Sequence, residues 1–145
     1  MNAPLYNAEI LRLAASIPFQ ARLEGAMASS EKRSPVCGSR VTVDVNLDRD
    51  GRVAEIGMVV RACALGQASA ALMAASAKGR TAAELAKARD QLTQWLAGEH
   101  PEPPEWPGLE LFVPALPHRA RHPSIRLAFE AAAEAAGLAS RERAA

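Results

Sequence analysis

The sequence predicts an α+β fold: a small antiparallel sheet packed against helices. Residues 41–60 alternate apolar and polar side chains on either side of a tight turn, the pattern of a hairpin with one buried face. Beyond residue 63 the chain is rich in alanine and carries helical spacing with start and stop signals. The length of 145 residues suits a single domain, 1–145 with short flexible ends, burying roughly two-thirds of its unfolded surface.

The elements follow in order. Tyr6–Ser16 places Ile10, Leu11, Leu13 and Ala14 at helical spacing, and Pro18 stops the helix. Residues 21–34 are small, polar and partly strand-like, so a third strand is expected near 23–32. Val41, Val43, Val45 and Leu47 then alternate with Thr42, Asp44 and Asn46. Asp48-Arg49-Asp50-Gly51 makes the turn, with Gly51 supplying a positive φ. Ala54, Ile56, Met58 and Val60 form the matching face of the second strand.

Gly66–Lys78 reads as a helix of small residues ended by Gly79. Thr81 and Glu84 have the spacing of a capping box, and Leu85, Leu92, Trp95 and Leu96 line one face of the helix they open. Four prolines within 99–108 force a loop, which Trp106 is expected to pin. Leu109–Val113 is a short apolar stretch. Pro123 suits the first turn of a last helix, where its missing N–H is not needed, and Ile125, Leu127, Ala128, Phe129 and Ala132 supply the buried side.

A net charge of +1 gives no footprint for nucleic acid. The short basic stretch at Arg119, Arg121 and Arg126 is too small for a duplex and suits an acidic protein partner. The apolar run at 62–77 is too short and too weakly apolar to span a bilayer. With no secretory signal pattern a disulfide is disfavoured, and the expectation is a cytoplasmic protein with two free thiols.

Those thiols are the first candidates for chemistry. Cys37, in Pro35-Val36-Cys37-Gly38-Ser39, precedes the first strand of the hairpin, and Cys63 follows the second. Antiparallel pairing brings both to one end of the sheet. Cys63 also precedes a helix, whose positive end favours an anionic ligand. Gly38 and Gly66 leave room beside the sulfurs. Taken singly, each cysteine suits an inert thiol better than a ligand.

His122, at the start of the last helix, is the third candidate. His118 and His122 have an H-x₃-H spacing that suits zinc on a helix, but Pro117 and Pro123 argue against a helix between them. There is no phosphate-cradling glycine loop, no HExxH and no CxxC. A Cys37–His122 thiol-protease pair lacks any sign of an oxyanion hole.

Several segments in order resemble the NifU/IscU/SufU family, a SufE/NifU-like fold. They are Cys37-Gly38-Ser39, the Asp50-Gly51 turn, Ala62-Cys63-Ala64-Leu65-Gly66-Gln67-Ala68-Ser69-Ala70, Gly79-Arg80-Thr81 and Pro117-His118-Arg119-Ala120-Arg121-His122. The long segment between Cys63 and His122 looks closest to the SufU branch. The resemblance implies a scaffold or sulfur-relay protein of iron–sulfur cluster assembly, with Cys37, Cys63 and His122 as ligands for zinc, iron or a [2Fe–2S] cluster. It also implies a cysteine desulfurase as sulfur donor, Cys37 as persulfide acceptor, and downstream iron–sulfur acceptor proteins.

Two ligand positions depart from the family. Ser39 stands where it has aspartate, and His122 where it has a third cysteine. Two thiolates and a neutral imidazole cancel the charge of Zn²⁺, whereas the family set leaves two negative charges in excess. Histidine is a competent ligand, but it accepts no persulfide sulfur. Two alternatives therefore stand beside the scaffold: a zinc-dependent sulfur acceptor for a desulfurase, and a binding module that has lost the metal.

Overall fold

Three strands pair antiparallel in chain order: β1 (Ala28–Arg33), β2 (Arg40–Leu47) and β3 (Val53–Arg61). The structure is a computed structural model describing residues 5–35 and 38–144. The third strand is therefore present, beginning at Ala28, because residues 19–27 serve another purpose described below. No helix among the described residues is long and apolar enough to cross a membrane.

Register divides the sheet into two faces. Val41, Val43 and Val45 of β2 lie opposite Val60, Met58 and Ile56 of β3, and all six are buried. Helix α4 (His122–Ala144) lies across β1 and β2, with α2 (Ala64–Ala77) beside it. Helix α3 (Ala82–Leu96) packs on α4, and α1 (Ala8–Ala14) on α2. Small side chains make the layer close: Ala128, Ala131, Ala132, Ala135, Ala136 and Ala139 of α4 have no exposed surface.

One position on β3 differs from the simple alternation. Ala54 is exposed and Val53 is buried instead. The register shifts at Asn46/Leu47, so Leu47 pairs with Val53, and this irregularity exchanges the faces at the turn end of the hairpin.

The outer face is not left to solvent. Residues 19–27 run over it as a strap. The Phe19 carbonyl accepts from Met58 N–H at 2.9 Å and Met27 N–H donates to Asn46 Oδ1 at 2.8 Å. Asp44, on this face of β2, has no exposed surface. It accepts from Arg22 Nε at 2.7 Å, from Leu23 N–H at 3.0 Å and from the Ser29 hydroxyl. Its cross-strand partner Gly57 lies directly beneath the strap: a Cβ there would overlap the Ala21 carbonyl oxygen and come within 3.1 Å of Leu23 Cγ.

The expected capping box opens α3. Glu84 N–H donates to Thr81 Oγ1 and Thr81 N–H donates to Glu84 Oε1, both at 3.1 Å. Thr81→Ala removes one of these acceptors and is expected to lower stability by about 1 kcal/mol, read as a shift in the urea unfolding midpoint at unchanged slope.

Trp106 pins the proline-rich loop as expected. Its Nε1–H donates to the Leu72 carbonyl at 2.9 Å, its ring meets Phe129 edge-on at 5.2 Å, and the Arg80 guanidinium stacks over it at 4.6 Å. Gly108 follows at φ +90°, where a Cβ would collide with Leu72. The chain then forms 3-10 turns at Leu109–Ala115 and Arg119–Arg121, the second running straight into α4. A helical turn thus does join His118 to His122, because Pro123 sits in the first turn of α4, where no N–H is required.

Candidate metal centre

The two strands of the hairpin end beside each other, with Arg40 opposite Arg61. Two residues beyond Arg61, Cys63 is the N-cap residue of α2, in an extended conformation at φ −66° and ψ 171°. Its thiol is half-buried, makes no capping hydrogen bond, and belongs to no disulfide. The sulfur therefore stands at the positive end of a 14-residue helix without a structural hydrogen-bonding duty there.

Cys37 lies outside the described residues, but its described neighbours are at the same end of the sheet. Ser34 N–H donates to the Ser39 carbonyl at 2.9 Å and Gly38 N–H to the Ser34 carbonyl at 3.1 Å. Gly38 adopts φ +72° with open space where a side chain would be. Gly66, by contrast, is a packing glycine: a Cβ there would come within 2.7 Å of Ala62 Cβ and 3.2 Å of the Ser124 carbonyl oxygen. It lets the first turns of α2 and α4 approach.

Ser124 ties this end together. Its hydroxyl lies 3.5 Å from that of Ser39, and both residues are buried. One turn further, Ser69 Oγ–H donates to the Ile125 carbonyl at 2.6 Å. The Ser39 hydroxyl is thus part of the seam between β2 and α4. A neutral hydroxyl used in this way is a weak substitute for a carboxylate ligand.

His122 is buried at 5% exposure in the first turn of α4. Its Nε2 is 3.0 Å from the Ala115 carbonyl oxygen. A carbonyl only accepts, so Nε2–H donates to it, which in the neutral tautomer leaves the ring's lone pair on Nδ1. This is how histidine ligands are commonly oriented from behind. The ring also borders a recess with Thr93, Leu96, Ala97 and Arg119. Among the described residues no three His, Cys, Asp or Glu side chains gather as a metal site. Of the three expected donors, Cys63 and His122 are among the described residues and Cys37 is not.

Sequence reasoning missed the Asp44 hub, Ser124 and the Ala115 carbonyl behind His122. Asp44 in a polar-alternate position looked solvent-facing, and a backbone partner leaves no trace in side-chain pattern.

These features define a class: a small α+β domain presenting a thiol at a helix N-terminus beside the end of an antiparallel sheet. No family model matches the sequence, and no curated protein matches it. Solved structures do. The N-terminal part of a nitrogen-fixing NifU-like protein from Brucella abortus superposes with a TM-score of 0.86 at 36% identity, covering 94% of this chain and 95% of that one. The chain belongs to the NifU-like family, within the NifU/IscU/SufU group. A protein described as an iron–sulfur cluster assembly scaffold for the SUF system, from Fervidobacterium islandicum AW-1, shares the fold at a TM-score of 0.82 and 20% identity, covering 91% of this chain and 96% of that one. A hypothetical protein shares it at 0.73 and 20%, covering 90% and 95%.

Proposed function

We propose that this chain is a scaffold in iron–sulfur cluster assembly, holding iron and sulfide as cargo at Cys37 and Cys63 with His122 as a third donor. The observation that carries this reading is the N-cap thiol of Cys63, which makes no capping hydrogen bond, in a chain of the NifU-like family. The donor set fits a [2Fe–2S] cargo in kind: thiolates and imidazole both ligate such iron, and imidazole raises its potential. The His122 imidazole would donate through Nδ1 while Ala115 holds Nε2–H. Ser39 contributes no anionic charge, so binding is weaker than in a three-thiolate site and suited to release.

Sulfur would arrive from a cysteine desulfurase, with the Cys37 thiolate attacking the outer sulfur of the donor persulfide and the donor thiolate leaving. An external two-electron donor protein would then reduce the persulfide, releasing sulfide and regenerating the Cys37 thiolate, before the assembled cluster passes to downstream acceptor proteins. Zinc at the same donors is the competing occupant. The proposed setting is the cytoplasm, and the whole chain acts as one domain.

Metal analysis of anaerobically purified protein, before and after reconstitution with iron and sulfide, tests the reading. The expected result is iron with acid-labile sulfide and a visible charge-transfer band, lost in Cys63→Ser and reduced several-fold in His122→Ala. Zinc alone would favour the sulfur-acceptor role. Equal metal content in the parent, Cys37→Ser and Cys63→Ser proteins would remove the site.

A further inference from the structure

The Cys63 end of the sheet has a second feature that this thiol does not explain. Arg33, Arg40 and Arg61 are direct cross-strand partners on β1, β2 and β3, so three guanidinium groups stand in one row on the outer face. Neighbouring strands are roughly 4.8 Å apart, which makes the row about 10 Å long. Like charges placed directly opposite one another destabilise a sheet.

Compensation within the chain is incomplete. Glu31 lies 2.9 Å from Arg33 Nε and 3.8 Å from Arg40 Nε. Arg61 is exposed and, among the described residues, forms no ion pair. Three positive charges therefore share one carboxylate. Of the other acids on this face of the strands, Asp44 is taken by Arg22, and Glu55, toward the turn end of β3, accepts from Asn46 Nδ2 at 3.1 Å. On the opposite face Lys32 pairs with Glu134, so neither supplies charge to the row.

The row borders a recess of about 440 Å³ lined by Arg33, Ser34, Pro35, Gly38, Arg40 and Arg61. Ser34 is 3% exposed, and its buried hydroxyl has no hydrogen-bond partner among the described residues. Buried hydroxyls are normally paired. A carboxylate entering the recess would accept from the exposed guanidinium groups that line it.

We propose that the Arg33–Arg40–Arg61 row and the Ser34 recess dock an acidic segment of a partner protein at the thiol end of the sheet. The inference rests on strand register and charge, and does not depend on what Cys63 holds. An acidic polypeptide fits better than nucleic acid. The row is short, this sheet face carries no aromatic side chain for base stacking, and the whole chain has a net charge of only +1. The basic stretch at Arg119, Arg121 and Arg126 is a poorer candidate, because Arg126 faces Glu130 at 3.7 Å and Arg121 lies over the Tyr6 ring.

The test is fluorescence anisotropy of a labelled twelve-residue Glu/Asp-rich peptide titrated with the full chain. Saturable binding is expected, weakening with added salt. Arg40→Gln/Arg61→Gln should weaken it at least tenfold. Arg119→Gln/Arg121→Gln and Cys63→Ser should each change it less than twofold. The Arg40→Gln/Arg61→Gln protein should melt no lower than the parent, because repulsion is relieved, so lost binding would not reflect lost folding. Binding unaffected by the row variants, equal loss in the control variants, or tighter binding of a short oligonucleotide or of pyrophosphate than of the peptide would overturn the proposal.

Discussion

Gly57→Ala is expected to destabilise the fold by about 3 kcal/mol, a large effect for adding one methyl group. The backbone conformation at Gly57 is ordinary for a strand, so the cost is steric. The added carbon would overlap the Ala21 carbonyl oxygen and press on Leu23 from two atoms, the amide nitrogen at 3.2 Å and Cγ at 3.1 Å. Backbone cannot rotate away as a side chain can, so the strap must lift. Lifting it breaks the Phe19–Met58 and Leu23–Asp44 hydrogen bonds. Urea unfolding gives the magnitude, and faster amide exchange at Leu23 and Met58 than in the α4 core would locate the change. Exchange accelerated uniformly across all elements would refute the local account.

Asp44→Ala is expected to cost about 2–3 kcal/mol, lowering Tm by roughly 5–10 °C for a domain of this size. The removed carboxylate leaves the Leu23 N–H unpaired beneath the strap and frees the Arg22 side chain. Arg22 is largely exposed, so most of the loss lies in the part-buried hydrogen bonds from Leu23 N–H and the Ser29 hydroxyl and little in the ion pair. Asp44 also gives the strap a pH dependence. Burial by itself would raise its pKa, but the hydrogen bonds from Arg22, Ser29 and Leu23, with the charge of Arg22, outweigh it and hold the carboxyl below its ordinary value. A depressed native pKa means stabilisation that is complete above the unfolded-state value and is lost as pH falls through the native one. The window therefore lies below about pH 4. Asp44→Asn should flatten stability against pH in that window, and a slope equal to the parent's would count against Asp44 as its source. Because Asp44 and Gly57 are register partners beneath one strap, Asp44→Ala/Gly57→Ala should cost less than the two singles added.

The hairpin was legible because a period of two around Asp50-Gly51 has few other interpretations, and the place of Cys63 beside the start of its first strand followed from antiparallel pairing. The Thr81 capping box and the Trp106 anchor were legible for the same reason: both are local or rest on one unusually large side chain. The strap was not. Residues 19–27 have no periodicity, and their partners Asp44 and Asn46 are polar residues that alternation assigns to solvent. Val53 taking the place of Ala54 depends on an irregularity at Asn46/Leu47 that leaves no compositional mark. At the candidate site, the free N-cap position of Cys63 could be read from the strand-to-helix junction. The Ala115 carbonyl behind His122 could not, since it depends on how two 3-10 turns meet.

The placement of the two tryptophans has an optical consequence. Trp95 and Trp106 are both buried in the helical layer, at 2% and 4% exposure, and the strap contains neither. Their emission should be shifted to the blue and should report the loosening of the helical layer, α2, α3 and α4 with the loop that Trp106 pins. Release of the strap would pass unseen by fluorescence, so an emission melt of Gly57→Ala would overstate the order of the sheet's outer face.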